Sequence, residues 1–305
     1  MPRLNVPPVA AAIKTRQGRC HMKLFNYKKG NQICLAIKSD RGIIPVGNGA
    51  DGAVPATMEQ VIAGGQSSLR ALEQLAQNAS AVLPEEGLAY APCVTHPEKI
   101  LCVGINYTEH GNECHIELPT HPILFSKFNN ALAAHHQRIR LPKTAVKFDY
   151  EAELVVIMGK EASNVSKQDA LSYVFGYSVG NDLSARDLQL RTPQWLLGKT
   201  CDGFAPVGPY IVTADEIDPS HLDIRCEVNG EMRQHANTDR MIFDCATIIS
   251  YASQYMTLKP GDLIFTGTPS GVILGYPEAT QAWLKPGDTV SVTIEHLGTL
   301  TNVLG

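Results

Sequence analysis

Nowhere in this chain do two cysteines stand in a C-x-x-C spacing; the eight lie scattered at positions 20, 34, 93, 102, 114, 201, 226 and 245. That argues against a zinc knuckle and against a disulfide framework, and the reduced thiols of a cytoplasmic protein fit better. Nor does any apolar run approach the roughly 20 residues that a bilayer-spanning helix needs. Charge of one sign is missing too: 26 Lys and Arg against 30 Asp and Glu leave a formal net charge of −4, with the signs interspersed. Without a basic stripe, nucleic acid is not expected as a partner. A serine hydrolase is not expected either, since no nucleophile elbow is recognised. What is present is ordinary globular composition, 44% hydrophobic and 18% charged over 305 residues. That suffices for one large or two smaller domains.

The first 21 residues hold four basic side chains, Arg3, Lys14, Arg16 and Arg19, and no acid. They read as an amino-terminal extension. It is either a weak transit peptide, which leaves a mitochondrial location open, or sequence ahead of an internal start at Met22. Residues 22–95 read as a small α+β domain. Strands are expected over 23–27, 32–38 and 41–46, and helices over 58–62 and 67–77. The string Gly47-Asn-Gly-Ala-Asp-Gly52 matches the dinucleotide fingerprint. It lacks the βαβ unit that gives such a string its meaning, so NAD binding is not expected. From 96 to 305 many short β-like runs follow, over 99–104, 123–126, 153–158, 173–179, 210–213, 222–228, 262–266 and 289–294. Only 167–172 and 244–256 read as helical. So few helices exclude alternating βα units and point to a β-rich α+β fold.

The chemistry gathers around Lys147-Phe-Asp-Tyr-Glu-Ala-Glu-Leu-Val-Val-Ile-Met158. Leu154 to Met158 reads as a buried strand, and residues two apart on a strand share a face. Glu151 and Glu153 therefore project together at its mouth. Two like charges that close call for a neutralising partner, and a hard divalent cation suits carboxylate oxygens. A solvated strand edge is the other reading. Asp182 ends a second apolar run and is either a third oxygen ligand or an Asx-turn. His110 and Glu113 are three apart, so one helical turn would pair imidazole with carboxylate as a general base; the alternative is an ordinary loop histidine. Lys199 sits in a glycine-flanked loop. Phe265-Thr-Gly-Thr-Pro-Ser-Gly271 is a tight turn whose N–H groups and Thr268 could hold a carboxylate, or a plain surface turn. The pair His135-His136 is not read as a second metal site, because adjacent residues on a regular element point apart.

Five ordered motifs carry a resemblance. They are Val-Gly-x-Asn-Tyr-x-x-His-x-x-Glu from Val103, Asp-Tyr-Glu-x-Glu-Leu from Asp149, and Asn-Asp-x-Ser-Ala-Arg-Asp-x-Gln from Asn181. Gly-Lys-x-x-Asp-Gly-Phe-x-Pro-x-Gly-Pro from Gly198 and Phe-Thr-Gly-Thr-Pro-x-Gly-Val from Phe265 complete the set. Over residues 97–305 the chain resembles the fumarylacetoacetate hydrolase family, in particular its acylpyruvase and oxaloacetate decarboxylase members. The resemblance implies a mixed β-roll preceded by the small amino-terminal domain, with residues 96–305 as the catalytic domain. It implies a homodimer, and Mg²⁺ or Mn²⁺ held by Glu151, Glu153 and Asp182. It also implies His110, Glu113 and Lys199 as catalytic residues, with Lys127, Arg186, Gln189 and Thr268 binding substrate. The chain departs from the family at Asn129-Asn-Ala-Leu-Ala-Ala-His-His136, where a small-residue loop is usual.

Such a site suits a small 2-oxo acid whose C3–C4 bond breaks to leave a pyruvate enolate. The polar 129–136 loop and the two-domain layout favour oxaloacetate decarboxylation. Acylpyruvate hydrolysis, with water activated by His110, is the alternative, and isomerases and dehydratases of 2-oxo acids also occur in the family.

Overall fold

The computed structural model describes residues 22–47, 54–80 and 82–305. The extension 1–21, and residues 48–52 of the glycine-rich string, lie outside the described residues. The chain begins with three antiparallel strands, β1 (Lys23–Lys29), β2 (Gln32–Ser39) and β3 (Gly42–Pro45), close to their expected ranges. A helix, α1 (Met58–Asn78), follows. Its first turn is closed by a capping box in which Thr57 and Gln60 each accept from the other's backbone N–H. At Gly65 (φ 53°, ψ −130°) the helix is interrupted, so the two expected helices are the arms of one kinked element. A residue without Cβ tolerates that left-handed step.

Next come β4 (Ala89–Ala91), β5 (Ile100–Gly104), α2 (Thr108–Glu113), β6 (Ile123–Lys127), β7 (Leu132–Ala133) and β8 (Phe148–Asp149). The middle of the chain supplies β9 (Ala152–Met158), β10 (Val174–Asn181), β11 (Ser184–Ala185), α3 (Arg186–Gln189), α4 (Leu196–Lys199) and β12 (Ala205–Thr213). The last third holds β13 (Asp223–Val228), β14 (Glu231–Asn237), α5 (Cys245–Ser253), β15 (Leu263–Phe265), β16 (Thr289–Ile294) and β17 (Gly298–Val303). Among the described residues, eleven strands form one sheet in the order β3-β2-β1-β12-β10-β9-β15-β5-β6, with β4 on β1 and β7 on β12. β14-β13-β16-β17 form a second sheet, and β8 pairs with β11. This is the β-rich α+β class expected from the sequence. The boundary expected at 95–96 falls between β4 and β5, and strands from its two sides share the large sheet through β1 and β12, with Leu24 opposite Ile211. No helix among the described residues is long and apolar enough to cross a membrane.

β9 lies at the centre of the large sheet, between β10 and β15, and all seven of its residues are buried. Leu154, Val156 and Met158 join the cluster that contains Ile248 of α5 and Val292 of β16. Val155 and Ile157 join the one that contains Val61 and Leu72 of α1. Period-2 alternation thus packs both faces of one strand, which is why its sequence is an unbroken apolar run. Each Lys-Pro-Gly-Asp turn launches a strand. In both, the aspartate side chain accepts from the lysine N–H, at 2.8 Å for Asp262 and 2.9 Å for Asp288.

Two expectations need correcting. The helix expected over 167–172 is only a turn leading into a 3₁₀ turn at Ala170–Tyr173: Ser166 caps it by accepting from Asp169 N–H, but the backbone bonds that follow close tighter i to i+3 turns, such as Ser172 N–H to Asp169 O at 2.9 Å. And His135 and His136 do not point apart: φ of +62° at His136 leaves the extended region, and the two ring centroids lie 3.7 Å apart with the planes tilted by 39°, His135 meeting Tyr90 edge to face. Thr301 N–H donates to His135 Nδ1 at 3.0 Å. Burial, then the His136 neighbour, pulls the His135 pKa down from 6.5 to about 4. The unfolded chain therefore binds the extra proton first, and stability present above pH 6.5 is lost as pH falls towards 4. After a discount for screening of this partly exposed ring, the loss is about 1–2 kcal/mol. Urea midpoints at pH 7 and 4.5 check it: His135→Gln should show the smaller difference, and an equal difference would refute the assignment.

Candidate active site

The strand register assembles the site. β9 and β10 pair so that Asn181 stands opposite Ala152. Glu151 N–H donates to the Asn181 side chain at 3.0 Å, and Asp182 N–H to Glu151 O at 2.9 Å. Asp182 is thereby locked beside the two glutamates. β15 pairs with the other edge of β9, and beyond it Gly267 N–H donates to Glu153 Oε2 at 2.7 Å. Gly267 has φ +98°, and a Cβ there would come 2.6 Å from that of Asn106. Asn106 in turn donates to Thr266 O at 2.6 Å and fixes the chain entering α2. The single turn of α2 brings His110 Nδ1 to 2.8 Å from Glu113 Oε1, and Gly271 N–H holds the other Glu113 oxygen at 2.8 Å. The Phe265–Gly271 turn does capture carboxylates, as its composition suggested, but they are the protein's own Glu153 and Glu113.

Cations surround the cluster. Lys199 Nζ reaches Glu151 at 2.6 Å and Asp182 at 2.8 Å. Arg186 reaches Glu151 at 2.7 Å and Asp149 at 2.8 Å, and donates to Gln189 at 2.9 Å. Lys127 Nζ lies 2.5 Å from Asp182 and also donates to the carbonyls of Leu183, Lys199 and Phe204. Four carboxylates (149, 151, 153, 182) thus meet three cations, leaving one negative charge in excess. Glu153 has no Lys, Arg or His ion-pair partner among the described residues. Burial, then Asp182 and Glu151, pushes its pKa well above the carboxylate range. Burial pushes Asp182 up as well, against Lys127 and Lys199. Glu151 goes the other way: burial opposes ionisation, but Lys199, Arg186 and His110 together hold it low. Lys199 is held up by Asp182 and Glu151 against the effect of burial.

Donor oxygens of Glu151, Glu153 and Asp182 all lie within 4.8 Å of one another. Three buried carboxylates, one of them without a cationic partner, fit a hard divalent cation, and these residues could hold one. A cavity of about 60 Å³ opens beside them, with His110, Glu151, Glu153, Arg186, Lys199 and Thr268 in its wall. Gln189 lines it too, and Phe125, Trp195 and Leu274 supply apolar surface. Lys127 is brought to the cluster but not to the cavity wall; its ammonium faces only Asp182 and carbonyls. His135 and His136 are not in the wall either. Of two larger clefts, of about 480 and 570 Å³, the second adjoins the site through Phe125 and Trp195, and neither is lined by a buried carboxylate.

Sequence reasoning passed over Asp149, which accepts from Ile273 and Leu274 N–H and from Arg186, and so ties the β16-side loop to the site. Its only signal was its place in the Asp-Tyr-Glu motif. It also passed over Gln234, which joins Ala152 N–H to Thr268 and Pro269. One match to the nucleophile-elbow pattern was overlooked. Gly176-Tyr-Ser-Val-Gly180 does match Gly-x-Ser-x-Gly. It is no elbow: Ser178 lies buried within β10 and its hydroxyl donates to Tyr210 O at 2.7 Å.

Comparison with known proteins identifies the family. Residues 99–304 match the model for the C-terminal domain of fumarylacetoacetate (FAA) hydrolase. A fumarylacetoacetate hydrolase domain-containing protein 2 homolog from Dictyostelium discoideum is 50% identical over 218 residues, covering 68% of this chain and 71% of its own. A Xenopus laevis protein named mitochondrial oxaloacetate tautomerase is 39% identical over 288 residues, 92% of this chain and 89% of its own. The solved fumarylacetoacetate hydrolase of Exiguobacterium antarcticum superposes with a TM-score of 0.79 at 31% identity, over 93% of this chain and 99% of that one. The chain belongs to the fumarylacetoacetate hydrolase family and is an enzyme of that family.

Proposed function

We propose that this enzyme interconverts the keto and enol forms of oxaloacetate, with Mg²⁺ or Mn²⁺ held by Glu151, Glu153 and Asp182. The observation that carries the reading is that His110, held by Glu113 behind it, lines the same small cavity as Glu151 and Glu153 of the three-carboxylate cluster. Gly271 N–H donates to one Glu113 oxygen, and with Glu113 as a carboxylate the other accepts from Nδ1–H of a neutral His110, so that Nε2 keeps its lone pair. His110 is then poised to take a proton from C3, and an equal proton returns at the C2 oxygen to give the enol. A bound divalent cation supplies stabilisation of the negative charge that develops on the 2-oxo group. Lys199 and Arg186 add positive potential from the wall. Thr268 accepts from Gln234, which leaves its own proton free for a substrate carboxylate. Lys127 is assigned to positioning Asp182 rather than to substrate.

The Xenopus laevis relative's name favours tautomerisation over the decarboxylation first expected; both develop negative charge on the 2-oxo oxygen, the first in the enolate of oxaloacetate and the second, after CO₂ leaves, in the enolate of pyruvate. Acylpyruvate hydrolysis would in addition require His110 to activate water. Assaying the purified protein with Mn²⁺ separates the three. Loss of the enol absorbance of oxaloacetate without pyruvate supports the tautomerase; pyruvate from oxaloacetate makes it a decarboxylase, and pyruvate from acetylpyruvate a hydrolase. A homodimer and a mitochondrial location belong to the same proposal, the latter supported by the relative's name.

A further inference from the structure

His110 and Glu113 have a third neighbour that the proposed reaction does not use. Cys114 caps α2, lines the same cavity, and places its Sγ 3.9 Å from His110 Nδ1. Donor atoms of His110, Glu113 and Cys114 all lie within 4.8 Å of one another, and the Nδ1 to Glu113 distance is 2.8 Å. In a tetrahedral zinc site, bonds of about 2.3 Å to sulfur and about 2.0 Å to nitrogen and oxygen set S···N near 3.5 Å and N···O near 3.3 Å. Each distance here is within about 0.5 Å of those values. The donor set, thiolate with imidazole and carboxylate, prefers zinc-like cations, whereas the all-oxygen cluster beside it prefers Mg²⁺ or Mn²⁺.

We propose that His110, Glu113 and Cys114 form a second, inhibitory site for zinc-like cations, distinct from the carboxylate site, with water in the fourth position. Binding at Nδ1 moves the imidazole proton to Nε2, and the Cys114 thiol releases its own proton to solvent. Nε2 then carries N–H and can no longer accept a proton from C3, so occupancy stops turnover. That consequence rests on the base role given to His110; the binding itself does not. Burial, then Glu113, pushes the Cys114 thiol up to about 12. The cation must displace that proton, so apparent affinity should rise about tenfold per pH unit across neutrality.

The test is titration of the enzyme with Co²⁺ under saturating Mg²⁺, following thiolate-to-cobalt charge transfer. The wild type should develop one equivalent of the band, Cys114→Ser should lose it, and Glu153→Gln should keep it. A wild type without the band, or a Cys114→Ser variant that retains it through another of the cysteines, overturns the site. Zn²⁺ inhibition is read in parallel, and its inhibition constant should rise at least tenfold in Cys114→Ser. Cobalt bound through Cys114 with undiminished turnover would overturn the inhibitory role and count against His110 as the base, while the site itself would stand.

Discussion

Glu153→Gln is expected to stabilise the cation-free protein, abolish its thermal response to Mn²⁺, and lower turnover on the order of 10³-fold. The opposite signs follow from one fact. Glu153 is buried, close to Asp182 and Glu151, and accepts from Gly267 N–H without a cationic partner among the described residues. Without a cation, Glu153 must either take up a proton on folding or stay as an uncompensated buried charge, and each costs stability, so a neutral isostere should raise it by about 1–2 kcal/mol. A cation that binds only the folded state stabilises by mass action, about 2.7 kcal/mol at a hundred times its dissociation constant. The variant, with one ligand neutralised, should forfeit that gain. Melting curves with EDTA and with Mn²⁺ check both halves. A variant that melts lower than wild type in EDTA, yet still responds fully to Mn²⁺, would show that Glu153 is structural.

His110→Gln should lower kcat by about 10²–10⁴-fold with little change in KM, because only proton transfer is removed. Gln keeps a hydrogen bond to Glu113 but offers no base. The orienting partner should matter less: Glu113→Gln frees the tautomer and costs roughly 10–100-fold, as when a carboxylate that orients an imidazole from behind is removed. If His110→Gln changed KM alone, His110 would be a binding residue.

Much of this site was legible because its key pairs are local. Glu151 and Glu153 are two apart on a strand, His110 and Glu113 three apart on a helical turn, and Asp182 ends an apolar run. What held these groups in place was not legible. Gly267 reaches Glu153 across 114 residues, Asp149 reaches Leu274 across 125, and Gln234 reaches Ala152 across 82. No periodicity encodes a partner at such a distance. β14 was missed for a related reason: Glu-Met-Arg-Gln-His-Ala-Asn has no alternation of its own and is a strand because β13 pairs with it. Lys127 was assigned to substrate binding from the family resemblance alone, and only the packing shows its ammonium engaged by Asp182 and main-chain carbonyls. The histidine pair defeated a rule of regular elements because φ at His136 is positive.

The central claim is that His110, beside the carboxylate cluster, removes a proton from C3 of a 2-oxo acid. The most direct measurement is the rate at which C3 hydrogens of oxaloacetate exchange for deuterium in D₂O with Mn²⁺, corrected for the spontaneous rate. The account predicts enzyme-dependent exchange that disappears in His110→Gln and in EDTA. Exchange by the wild type no faster than the spontaneous rate, or exchange undiminished in His110→Gln, would contradict it.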